Sequence, residues 1–103
     1  MNVPLDISFQ GLSHSRALEA VVIENANGLT HVRHGIERCR VILGHGVQHP
    51  HPGSPFRVRI DVMTPLGEHV CSQMSGADLH AALRDAFADV AGMLKHAVGE
   101  LRM

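Results

Sequence analysis

The sequence predicts an α+β domain of β-α-β-β-β-α order, a four-stranded mixed sheet with both helices packed on one face. Three observations carry that reading. From Asp78 to Leu101, apolar side chains recur at Leu79, Leu83, Ala86, Phe87, Val90, Leu94, Ala97, Val98 and Leu101, the three-and-four spacing of one helical face. From Phe56 to Met63, Phe56, Val58, Ile60 and Val62 alternate with Arg57, Arg59, Asp61 and Met63, the two-residue period of a strand buried on one side. A chain of 103 residues supports one hydrophobic core, so residues 1–103 read as a single domain and the long amphipathic helix has to bury its stripe against the sheet.

The remaining elements follow in order. Leu5, Ile7 and Phe9 alternate with Asp6, Ser8 and Gln10, and Gly11 ends this first strand. Ser13 or Ser15 then caps a helix with apolar positions Leu18, Val21, Val22 and Leu29, which Asn27-Gly28 is expected to stop early. Ile36 to Leu43 is the second strand, with Cys39, Val41 and Leu43 on one face and Arg38, Arg40 and Ile42 on the other. Gly44 to Pro55, rich in Gly, His and Pro, is a loop. Pro65-Leu66-Gly67 is a turn that returns the chain into a fourth strand from His69 to Met74. Ser75-Gly76 breaks that strand, and Asp78 caps the last helix. The first strand–helix–strand unit makes a right-handed crossover between parallel strands, and strands two to four an antiparallel meander. Leu5, Ile7, Phe9, Val41, Leu43, Val58, Ile60, Leu83, Phe87, Val90 and Leu94 form the expected core.

Composition restricts the function. Net charge is −1 with His neutral, which argues against attraction of the whole molecule to nucleic acid or anionic membrane and leaves room for a local basic patch. Eight of the nine cations are Arg, the residue suited to bidentate and stacked contacts; a high-GC genome explains the same bias. Cys39 and Cys71 lie far apart without a CxxC or a zinc spacing, and no apolar run has the length of a membrane span, so a reducing cytoplasm is the expected compartment.

Chemistry-bearing groups are few. Arg38, Arg40, Arg57 and Arg59 share the polar parity of two neighbouring strands, which places four guanidiniums on the open sheet face, either to receive a phosphate backbone or to pair with Asp6, Asp61 and Glu68. Nine His is high for this length, yet His45, His49 and His51 have no partner at ligand spacing, so no metal site is expected. No nucleophile has an evident base, and Asp85 and Asp89, at i and i+4, read as a solvated pair. Cys39 alternates into the apolar face as a small core residue, and Cys71 has no basic neighbour beyond His69.

Leu5-Asp6-Ile7-Ser8, the strands Ile36 to Leu43 and Phe56 to Thr64, and above all Ser75-Gly76-Ala77-Asp78-Leu79-His80-Ala81-Ala82-Leu83 give the chain its likeness. In this order it resembles the hibernation promoting factor and ribosome-associated inhibitor family, small bacterial proteins once named sigma-54 modulation proteins. The last stretch is similar to the family's motif opening the final helix, with His80 where an aromatic residue is common. The resemblance implies a non-enzymatic, cytoplasmic translation inhibitor without a cofactor. Its implied partners are the small ribosomal subunit and its rRNA near the decoding region, in stationary phase or stress. The chain stops soon after the last helix, as a short-form member would.

Family members grip RNA through Lys and Arg on the helices and neighbouring strands. Here Asn25, Asn27, Gly28, Asp85, Asp89, Gly92, Val98 and Glu100 stand where helical cations are common. The remaining RNA-binding candidates are Arg33, Arg38, Arg40, Arg57, Arg59, Lys95 and Arg102, which implies a weaker grip and a shallower salt dependence. The alternative is a protein-interaction or self-associating module on the same fold that has lost strong RNA binding.

Overall fold

In a computed structural model of the protein, residues 3–32, 35–45, 51–65 and 67–95 are described in full, and residues 96–101 as helix backbone. The chain runs β1 (Leu5–Gln10), α1 (Arg16–Gly28), a 3-10 turn (Leu29–His31), β2 (Arg38–His45), β3 (Phe56–Met63), β4 (His69–Gly76) and α2 (Leu79–Leu101). Spatial order equals chain order, β1-β2-β3-β4. β1 and β2 are parallel, as a crossover through α1 requires, while β2–β3 and β3–β4 are antiparallel. The α+β sheet-and-two-helix architecture is the one the periodicities predict.

Local chemistry explains the ends of the elements. Ser15, not Ser13, caps α1, its hydroxyl accepting from the Leu18 amide at 3.3 Å. Asp78 caps α2 by accepting from the amides of His80 at 3.0 Å and Ala81 at 3.3 Å. α1 does not stop before Asn27-Gly28: Asn27 uses its carboxamide oxygen to accept from the Val3 amide at 3.2 Å and so ties the start of the chain to the helix. β2 starts at Arg38 rather than Ile36, after the positive-φ Gly35, and it runs on to His45 because Phe56, the first residue of β3, stands opposite that position. β4 likewise continues through Ser75-Gly76, which pair with Arg57 and Phe56.

The core lies between the sheet and the helices. Cys39, Val41 and Leu43 of β2 and Val58, Ile60 and Val62 of β3 are fully buried against Leu83, Phe87, Val90 and Leu94 of α2 and Val22 and Ala26 of α1. α2 packs on β3 and β4, whereas α1 covers β1 more thinly. Leu5, Ile7 and Phe9, expected in the core, are therefore only half-buried. They share the helix-facing parity with Cys39, Val41 and Leu43, but a hollow of about 470 Å³ remains between the edge strand β1 and Ile23 of α1.

Candidate nucleic-acid interface

The sheet face without helices is a grid set by register. Along β2 it carries Arg38, Arg40, Ile42 and Gly44; along β3, Arg57, Arg59, Asp61 and Met63. Asp6, Ser8 and Gln10 flank it on β1, and His69, Cys71, Gln73 and Ser75 on β4. Arg38, Arg40, Arg57 and Arg59 are all exposed here, so the parity argument holds and four guanidiniums share one surface.

Carboxylates occupy two of the four. The Arg59 guanidinium donates to Asp61 through Nε at 3.0 Å and Nη2 at 3.4 Å. Arg40 lies opposite Asp6 at 3.6 Å, a longer and more solvated pair. Arg38 and Arg57 have no ion pair among the described residues. The two free cations thus stand at opposite ends of the face, roughly 20 Å apart at about 3.3 Å of rise per residue along β2.

Asp61 is the hub. Besides Arg59 it meets His69 Nε2 at 3.1 Å, and Cys71 is its cross-strand partner in β4. Burial raises the Asp61 carboxyl, but hydrogen bonds from Arg59, Cys71 and His69 outweigh burial and hold it below the ordinary carboxylate range. Cys71 is raised, first by burial and then by its hydrogen bond to that carboxylate. Arg59 is thus a second basic neighbour of Cys71, which sequence separation concealed. On the other side of the sheet, Cys39 is pushed up to about 12, first by burial and then by the Asp61 charge, as an inert core thiol should be.

Other sequence-level candidates lie elsewhere. Lys95 is exposed on α2, in the helix layer and away from the guanidinium face. Arg33 and Arg102 lie outside the described residues, as does His49. Among the described residues no group of three or more His, Cys, Asp or Glu is arranged to hold a metal ion. His45 belongs to β2, not to the loop, and its ring stacks on Phe56 with centroids 4.9 Å apart. Among the described residues no helix is long and apolar enough to cross a membrane. Gln10 and Gln73, which sequence reasoning passed over as neutral strand residues, border the same face; parity with the arginines was the available signal.

The same fold occurs in solved structures. The N-terminal domain of Protein Y from Thermus thermophilus is 24% identical, with a TM-score of 0.76 over 93% of this chain and 98% of that one. A ribosomal subunit interface protein from Coxiella burnetii is 16% identical, with a TM-score of 0.76 over 94% of this chain and 99% of that one. No curated protein matches the sequence. The family model described as "Sigma 54 modulation protein / S30EA ribosomal protein" matches residues 5–102, and the chain belongs to that family.

Proposed function

We propose that the protein is a non-enzymatic, ribosome-associated factor of the cytoplasm. It docks on the small subunit near the decoding region through rRNA phosphates and so holds the ribosome idle. The observation that carries this reading is the gathering of Arg38, Arg40, Arg57 and Arg59 on the one sheet face that no helix covers, in a chain of this family. Guanidiniums in that arrangement make charge-assisted contacts to phosphate oxygens, which position a protein on RNA without reading its sequence. Lys95, Arg33 and Arg102 are assigned to the same role from sequence; Lys95 lies in the helix layer, so it would meet a different stretch of rRNA from the sheet arginines. The name of the Coxiella relative, a ribosomal subunit interface protein, supports the partner.

The helix layer favours a second reading. Its described residues include Glu19, Glu24, Asp78, Asp85 and Asp89 against Arg16, Arg84 and Lys95, a surface unsuited to phosphate and open to a protein partner or a second copy. Sedimentation of lysate through a sucrose gradient separates the two. Co-migration with small subunits at low salt, lost stepwise as salt rises, supports the first; migration apart from ribosomes at every salt concentration removes it.

A further inference from the structure

Two hollows lie side by side on the open sheet face, with Arg59 as the wall between them. The hollow toward His69 is lined by Arg38, Arg40 and Arg59 around Asp61, whose carboxylate occupies Arg59 and offsets part of the positive charge there. The other, about 210 Å³, is bounded by Gln10, Ile42, Gly44, His45, Arg57, Arg59 and Gln73 and has no carboxylate among its described residues.

Register brings these residues together. Ile42 stands between Ser8 and Arg59, Arg59 faces Gln73, and Gly44 stands between Gln10 and Arg57. Gly44 lets the end of β1 approach β2 closely, since a Cβ there would come within 2.6 Å of the Gln10 carbonyl oxygen, and so brings Gln10 to the edge of the hollow. The half-buried Ile42 side chain supplies an apolar floor. Gln10 and Gln73 each supply an amide that both donates and accepts. Arg57 is in no ion pair among the described residues, and Arg59 keeps donors beyond the two it gives Asp61.

A bare phosphate would use the guanidiniums and the amide N–H donors and leave the amide oxygens and the apolar floor uncontacted. A nucleotide uses all of these: its phosphate meets Arg, its base lies on Ile42 and a guanidinium plane, and its base edge meets the amides. The volume equals about seven waters at ~30 Å³ each, the scale of one base. A base inside a duplex is stacked and paired, so it cannot enter. We infer that this hollow seats one unpaired nucleotide of an RNA strand, which makes the sheet face selective for single-stranded RNA; the inference rests on the rRNA-binding reading above.

The test is fluorescence anisotropy of the full chain with a labelled mixed-sequence RNA strand and with a duplex of equal phosphate number, at one ionic strength and then across a salt series. Wild type is expected to bind the strand about tenfold or more tighter than the duplex. The double variant Gln10→Leu, Gln73→Leu changes no charge and should lose most of that preference with the salt slope unchanged, whereas Arg57→Ala should weaken both RNAs alike. Gln10→Ala with Gln73→Ala replaces the Leu pair if circular dichroism shows that pair unfolded. Equal affinity for strand and duplex, or a preference that the folded double variant keeps, overturns the nucleotide seat and leaves phosphate docking standing. Displacement by polyglutamate as effective as by unlabelled strand overturns it as well. Binding to neither RNA at low salt overturns both the seat and the rRNA reading.

Discussion

Ser72, buried in β4, donates its hydroxyl to the Asp89 carboxylate of α2 at 2.7 Å. Asp89 is exposed beside Asp85, as their spacing suggested, and is in addition a tether between the sheet and the last helix. The two partners are unequal, because the hydroxyl is buried and the carboxylate is exposed. Asp89→Ala leaves a buried hydroxyl unsatisfied and should cost about 1–3 kcal/mol, whereas Ser72→Ala returns the carboxylate to water and should cost about 1 kcal/mol or less. Urea denaturation of the two variants checks the order; a larger loss in Ser72→Ala contradicts it.

Phe87 is 4% exposed and stands at the centre of the α2 stripe. Phe87→Ala should destabilise the fold by about 3–5 kcal/mol, a large part of the ~5–15 kcal/mol that holds an ordinary domain together. Thermal melting with a two-state fit reads it, and a loss below about 1 kcal/mol would mean that α2 does not pack through this residue.

Asp61 competes with phosphate for Arg59. Asp61→Asn frees that guanidinium and removes a negative charge from the face, so RNA affinity should rise several-fold at low salt, with a salt slope steeper by about one contact. The same carboxylate sets a pH dependence. Its value in the fold lies below its unfolded value of about 3.9, so its contribution to stability is complete above that value and is lost as pH falls through the folded one. Wild type should therefore lose melting temperature more steeply than Asp61→Asn below about pH 4.

Cys71 reports on the interface without any change of charge. It is exposed on the guanidinium face, while Cys39 is buried and pushed up to about 12. Iodoacetamide at neutral pH should label Cys71 alone, more slowly than a free thiol because burial and Asp61 raise it. Bound RNA should slow that labelling further, and an unchanged rate at saturating RNA would place the RNA elsewhere.

How much was legible from sequence depended on the range of each interaction. β3 and α2 declare themselves by period, and the parity of Arg38, Arg40, Arg57 and Arg59 follows from it. The incomplete cover of Leu5, Ile7 and Phe9 was hidden, since alternation names the face of an edge strand but not how closely a helix lies on it. Asp61 was legible as a partner of the strand arginines, but its links to His69 and Cys71 were hidden because they depend on β3–β4 register, and the tether of Asp89 because Ser72 is 17 residues away. Gln10 and Gln73 passed unnoticed since neutral amides carry no pattern until neighbouring strands bring them to one hollow.

Strand order also governs how the molecule assembles. With the strands in chain order, the β2–β3 and β3–β4 pairings close only short connections, and α2 packs on the strands just before it. Only β1 has to wait for a crossover through α1 before it can pair with β2. Loop-closure entropy therefore favours a nucleus of β2, β3, β4 and α2, with β1 and α1 docking last. The arginines of β2 and β3 belong to the early part and Gln10 to the late part. In pulse-labelled refolding, the amides of Val58, Ile60 and Val62 should become protected from exchange before those of β1.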